Sequence, residues 1–309
     1  MSLRLSRRKA LQLLGAGIAG ALFPPSLALA GSNGRLYKPI PGGQRLPVIG
    51  LGTWRTFNVG ADQQLLGDRA EVVRAFFEHG GGMVDSSPMY GSAPDVMGFA
   101  LERLGHPGSL YSAEKVWSPA GGSTREQIAE LADRWGVSRF DLMQVHNLVD
   151  WREHLEVLQQ MKADGELRHI GVTTSHGRRH SAFEDIMQNH DIDFVQLTYN
   201  ITHRQVEHRL LPLAREKGIA VIANRPYDGG GLIRRLKRGH EVPGWAKEEC
   251  GCSTWAGFLL KFIVSHPAVT CAIPATTSVE HLEENMRAGL EPMPGEGARR
   301  RMIEHIESL

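Results

Sequence analysis

From Val48 onward, short apolar runs of strand character alternate eight times with longer segments of helical period, and that alternation leaves few folds open. The runs are VIGLG (48–52), MVDSS (83–87), LYSAEKV (110–116), DLMQVHN (141–147), HIGVTT (169–174), FVQLTYN (194–200), AVIANRP (220–226) and VTCAIPA (269–275). Between them recur helical spacings, as in Val72, Val73, Phe76 and Phe77, in Ile128, Leu131, Ala132 and Trp135, in Leu155, Leu158 and Met161, and in Phe258, Leu259 and Phe262. Glycines that can end a helix precede several strands, in HGG (79–81), ADG (163–165) and EKG (216–218). Strands joined by helices run parallel and need cover, and eight such units close on themselves as an α/β fold, the (β/α)8 TIM barrel. Ahead of them, LYKPIPGGQRLPVIG (36–50) sets Gly-Gly between two short apolar arms, which predicts an N-terminal β-hairpin closing the bottom of the barrel. Two stretches read as long loops, TFNVGADQQLLG (56–67) after the first strand and DGGGLIRRLKRGHEVPG (228–244) after the seventh. Both follow strand C-termini, where barrels keep their active sites.

Residues 1–30 have a different character. GAGIAG (15–20) fits the glycine fingerprint of a dinucleotide-binding turn, but Pro24 and Pro25 would break the helix it must open, and no acidic residue precedes Asp62. Arg4, Arg7, Arg8 and Lys9 instead form a positive n-region, Ala10 to Phe23 an apolar stretch too short to span a bilayer, and Ala28-Leu29-Ala30 a small-x-small cleavage site. The string SRRKALQ resembles a twin-arginine export signal, so residues 1–30 are expected to be a cleaved signal and residues 31–309 a single barrel domain in the periplasm.

The net charge of +1, less the four positive and no negative side chains of residues 1–30, leaves −3. That balance excludes a basic field for nucleic acid, and no later segment predicts stable membrane insertion. Cys250, Cys252 and Cys271 are too few for a disulfide framework, and the expected state is a monomer with free thiols.

At the ends of strands two, three and four stand residues that packing alone does not require: Asp85, Tyr90, Lys115 and His146. Alternation places Tyr111, Ala113 and Lys115 on one face, so if the small Ala113 faces the crowded interior, Lys115 does too. A buried lysine needs a partner, and Asp85 on the neighbouring strand is placed to be one. These residue types fit proton transfer to a carbonyl, with an ammonium group lowering the pKa of Tyr90 and His146 holding the carbonyl oxygen. No side chain can deliver hydride, so a nicotinamide is implied.

The chain resembles the aldo/keto reductase family from Leu46 to Asn285, through PVIGLGTW (47–54), MVDSSPMYG (83–91), EKVW (114–117), LMQVH (142–146), HIGVTT (169–174), FVQLTYN (194–200) and IPATTSVEHLEEN (273–285). The resemblance implies reduction of an aldehyde or ketone, a small carbonyl substrate, by NADP(H), with NAD(H) as the alternative. It places the tetrad on Asp85, Tyr90, Lys115 and His146. Cofactor contacts fall on Thr53, Asp85, Thr173, Thr174, Gln196, Asn224, Arg225, Thr276, Thr277, Ser278, Glu284 and Asn285, and substrate contacts on Trp54, Tyr90, Trp117 and His146. Asn224 stands where the family stacks an aromatic on the nicotinamide, and the usual cation near the 2′-phosphate is absent, Ala275 and His281 standing in its places. Those departures support a second reading, an exported barrel that keeps the fold as a non-catalytic binding or accessory protein.

Other features read as structural. His176 and His180 have the spacing of a helical metal pair but lack further ligands at fixed spacing, so no metal is expected. The run IRRLKRGH (233–240) reads as a solvated flap, and Arg299 to Arg301 as the exposed face of a last helix.

Overall fold

The computed structural model describes residues 29–30, 34–118 and 122–309. The expected export segment lies outside the described residues, save for Leu29–Ala30, which pairs antiparallel with the Leu36–Pro39 strand. Eight parallel strands follow in sequence order around one sheet: β1 (Leu51–Gly52), β2 (Met83–Asp85), β3 (Tyr111–Val116), β4 (Leu142–Val145), β5 (His169–Thr173), β6 (Phe194–Thr198), β7 (Ala220–Asn224) and β8 (Cys271–Ala272). The sheet curls until its two edges meet. Ile49 bridges Ala272, the Gly50 N–H donates to the Ala272 carbonyl at 2.9 Å, and the Gly52 N–H to that of Pro274 at 3.0 Å. All eight expected runs contain a strand, and the barrel closes in the predicted order.

The helices α1 (Gln63–Glu78), α2 (Ala93–Leu104), α3 (Thr124–Trp135), α4 (Trp151–Ala163), α5 (His180–Asn189) and α6 (Leu210–Lys217) connect successive strands. Then come α7 (Gly231–Leu236), α8 (Gly244–Cys250), α9 (Trp255–Val264), α10 (Val279–Arg287) and α11 (Glu296–Glu307). Their apolar faces and the outer face of the sheet form the main core, which includes Phe76, Leu101, Trp135, Leu158, Phe183, Leu211 and Phe258. Side-chain caps start several helices: Asp62 accepts from Leu65 N–H, Ser123 from Glu126 N–H, and Thr254 from Gly257 N–H. At Gly98 a β-carbon would meet the Arg134 carbonyl oxygen at 1.9 Å, so only glycine lets α2 lie this close to the end of α3.

Inside the barrel a second cluster joins Met83, Ala113, Leu142, Phe194, Ala220, Ile222 and Cys271 to Ile40 and Leu46 of the hairpin. The hairpin pairs Leu36–Pro39 with Arg45–Pro47 and turns through Gly42 and Gly43, whose φ angles of 81° and 83° favour glycine. It seals the barrel floor with hydrogen bonds as well as apolar contact. The Tyr111 hydroxyl pairs with His169 Nδ1 at 2.8 Å, and His169 Nε2–H donates to the Pro41 carbonyl at 2.9 Å. Lys38 Nζ donates to the carbonyls of Val264, His266 and Val269 at 2.8, 2.7 and 2.5 Å, which ties the hairpin to the end of α9.

Three expectations need correction. The stretch after β1 is shorter than read, because the Asp62 cap starts α1 at Gln63 and takes QQLLG into the helix. The stretch after β7 is no plain loop, since α7 occupies part of it and α8 begins at its last residue, Gly244. Arg299 is buried: its guanidinium donates to the Phe262 carbonyl and, at 2.8 Å, to the Tyr199 hydroxyl, while Arg300 and Arg301 pair with Glu296 and Glu249 at the surface. Cys250, Cys252 and Cys271 are free and buried.

Candidate active site

The strand ends open into a cavity of about 290 Å³, lined by Thr53, Trp54, Arg55, Asp85, Tyr90, His146, Gln196, Asn224, Arg225 and Tyr227 among others. Three consecutive strands deliver its chemistry. β2 ends on Asp85, β3 carries Lys115 two residues after the interior Ala113, and β4 runs directly into His146. Lys115 is fully buried, as alternation predicts, and its Nζ lies 2.7 Å from Asp85 Oδ2 while donating also to the Ser86 carbonyl at 2.5 Å. Asp85 Oδ1 accepts from Gln196 Nε2 at 2.8 Å and from Gln144 Nε2 at 3.3 Å. A carboxylate with three donors stays in register with its lysine, and the pair is neutral as a unit.

Tyr90 sits over this pair, with Lys115 Nζ 5.3 Å from its ring centroid and the His146 ring edge-on at 5.7 Å. Burial and the carboxylates of Asp85 and Glu114 hold its phenol well above the usual tyrosine range. The expected lowering by Lys115 is therefore not the condition of this site: the ammonium is turned to Asp85 and Ser86 and leaves the phenol protonated. Burial, with Lys115 and His176 nearby, pushes the His146 imidazole down to about 3, so it is neutral. Ser87 holds its ring. The Ser87 oxygen accepts the Met89 N–H at 3.2 Å and lies 2.8 Å from His146 Nδ1, a hydrogen bond that leaves Nε2 facing away from Ser87.

The remaining predicted contacts divide into two groups. Thr53, Trp54, Gln196, Asn224 and Arg225 line the cavity. Thr173 and Thr174 lie behind it: Thr173 Oγ1 accepts the Asn147 N–H at 3.3 Å, and the Thr174 carbonyl accepts Asn224 Nδ2 at 2.8 Å. Thr276, Thr277 and Ser278 form the turn into α10. Thr276 Oγ1 accepts Ser278 N–H at 3.2 Å, and the Thr277 carbonyl accepts Arg69 Nη1 at 3.4 Å. Glu284 and Asn285 lie on α10, where Asn285 Oδ1 accepts the Tyr227 hydroxyl at 2.5 Å. Trp117 does not line the cavity; its backbone N–H and carbonyl are both paired with Gln127.

Sequence reasoning missed Ser87, Gln144 and Tyr227. Ser87 and Gln144 sit inside motifs already singled out, and Gln144 shares the interior face with His146 by strand alternation. Tyr227, three residues past Asn224, had no such signal.

A model of the aldo/keto reductase family matches residues 48–300. The chain belongs to the aldo/keto reductase family. It is 27% identical over 238 residues to the NADH-specific methylglyoxal reductase of Escherichia coli (strain K12), covering 64% of this chain and 69% of that protein. A second methylglyoxal reductase of the same organism is 25% identical over 244 residues, covering 78% and 84%. Among solved structures, an aldo/keto reductase from Klebsiella pneumoniae in complex with NADP and acetate superposes with a TM-score of 0.73 at 22% identity, covering 86% of this chain and 94% of that one.

The donor set suits a dinucleotide. Amides of Gln196 and Asn224 meet at the cavity floor, 3.3 Å apart, where a carboxamide can join them, and two guanidiniums stand at the mouth for phosphates. Gln144 Oε1 is buried near them without a hydrogen-bond partner among the described residues.

Proposed function

We propose that this chain reduces aldehydes or ketones with a reduced nicotinamide dinucleotide, Tyr90 acting as the proton donor. The observation that carries the reading is the convergence of Asp85, Tyr90, Lys115 and His146 from three consecutive strands at one cavity. A phenol held above its usual range keeps its proton until a developing alkoxide takes it. Lys115, fixed by Asp85 next to the ring, then stabilises the phenolate that remains. His146 donates Nε2–H to the carbonyl oxygen and so orients it. The bound nicotinamide supplies the hydride. Thr53, Gln196, Asn224 and Arg225 would hold its near half, and the turn at Thr276 to Ser278 with Glu284 and Asn285 the adenosine half.

NADP(H) is the proposed cofactor, supported by the NADP-bound structural relative; the NADH-specific relative supports NAD(H) as the alternative. Dissociation constants for both decide between them. Reduction of 4-nitrobenzaldehyde tests the chemistry: Tyr90→Phe is expected to lose about 10²–10⁴ in kcat/KM without a change in melting temperature. An unimpaired Tyr90→Phe enzyme would remove Tyr90 as the donor. The non-catalytic reading draws on Asn224, whose amide is engaged by Thr174, Gln196 and Thr198; it requires that neither dinucleotide binds. Export to the periplasm by the twin-arginine route is supported by SRRKALQ, and a reporter fused to residues 1–30 that stays in the cytoplasm would refute it.

A further inference from the structure

Among the described residues one sulfur atom stands apart. Met89 is 49% exposed, more than any other large apolar side chain, whereas the other methionines are buried apart from the half-buried Met293. The thiols are withdrawn as well. Cys250, Cys252 and Cys271 are all buried, and burial pushes the Cys252 and Cys271 thiols up to about 12, so neither offers a reactive thiolate. The exposure of Met89 belongs to the cavity: Met89 and Trp54, which is 38% exposed, both line it, while the remaining exposed large apolar side chains, Leu65 and Leu309, do not. Met89 lies on the single turn Pro88–Tyr90, one residue before the proposed proton donor, and its N–H donates to the Ser87 oxygen at 3.2 Å. The backbone there is held, and the flexible thioether on the cavity wall is the part open to change.

A sulfur that water reaches is also within reach of a small oxidant. We propose that Met89 is an oxidation site, at which a peroxide turns the apolar lip of the cavity polar. A sulfur lone pair attacks one peroxide oxygen and the O–O bond breaks. The proton on the transferred oxygen passes to the departing one, which leaves as water. Sulfur is oxidised by one electron pair and the peroxide is reduced by the same pair, so the products are methionine sulfoxide and water. The new oxygen brings a strong dipole and a hydrogen-bond acceptor to a wall that an apolar substrate must cover, which weakens its binding and leaves the tetrad untouched. A methionine sulfoxide reductase reverses the step. The consequence for turnover rests on the reductase reading, whereas the modification itself does not.

Limited treatment of the full chain with hydrogen peroxide, followed by digestion and mass spectrometry, tests the site. Met89 is expected to gain an oxygen before any buried methionine or cysteine, and thermal melts establish that the oxidised chain is folded. In the NADPH-dependent reduction of 4-nitrobenzaldehyde, the oxidised chain is expected to show a KM raised roughly threefold to tenfold with kcat nearly constant. Treatment with a methionine sulfoxide reductase should bring KM back. Met89→Leu, compared with itself before and after peroxide, should show no rise. Oxidation of buried methionines in step with Met89, selective oxidation that leaves KM where it was, or an equal rise in Met89→Leu would each overturn the proposal. An active wild type whose Met89 resists peroxide also overturns it and leaves the reductase reading in place. Selective oxidation of Met89 in a chain that turns over no aldehyde would instead remove the reductase reading and leave the modification site standing.

Discussion

The two ends of the barrel are built on opposite rules. At the floor, the hairpin brings Ile40 and Leu46 into the apolar interior, and the polar groups of Tyr111, His169 and Lys38 find partners at 2.5–2.9 Å. At the mouth, a charged pair is buried, Gln144 Oε1 has no partner among the described residues, and Arg55, Asn147, Arg225 and Asp228 hold left-handed backbone. Packing and satisfied hydrogen bonds make the floor rigid. The mouth carries strain and desolvated charge that only a rigid scaffold can hold in place, which is why the chemistry sits on strand ends and the apolar plug lies beneath it.

The largest expected effect joins both properties. Lys115→Met leaves Asp85 buried without its counter-charge, and a loss of about 3–5 kcal/mol in unfolding free energy is expected together with loss of turnover, read by denaturant titration and assay. Leu46→Ala should separate the ends: it removes a floor side chain at about 2–4 kcal/mol of stability, yet kcat/KM per folded molecule should hold. A matching fall in kcat/KM would show that the floor shapes the site. Ser87→Ala acts only at the mouth. Losing the bond to His146 Nδ1 frees the ring, and a fall in kcat/KM of roughly threefold to tenfold is expected with little change in melting temperature.

A last effect, of pH on stability alone, concerns Glu114, buried on β3 and bonded to Trp135 Nε1 at 3.1 Å. Burial, its largest influence, pushes the carboxyl up to about 8, against the pull of Lys115. The fold therefore retains a proton that the unfolded chain releases near pH 4.3, about the free glutamate value. The stabilisation is complete below that pH and lost as pH rises through about 8. Melting temperatures of Glu114→Gln measured across this window should lack the decline that wild type shows, and parallel curves would show that Glu114 carries no such linkage.

How much of this was legible in the sequence depends on the range of each interaction. The strands could be read because each is a short apolar run bounded by turn residues, and two-residue alternation was enough to send Lys115 inward toward Asp85. Local rules were misapplied at Asp62, an N-cap whose helix begins with polar residues and so lacked an early apolar period. The state of Tyr90 was not legible, because it is set by burial in the folded cavity and by the carboxylates of Asp85 and Glu114, which only the fold brings near it. Ser87 and Tyr227 act through partners 59 and 58 residues away, distances across which a linear pattern carries no signal. Periodicity carries the strands and the faces they present, whereas the long-range hydrogen bonds at both ends leave no mark in a linear pattern.

The sealed floor also governs traffic. A barrel plugged at one end by its own hairpin leaves, among the described residues, the strand ends as the side from which the cavity beside Tyr90 is reached, so on the proposed reading cofactor and substrate share that side.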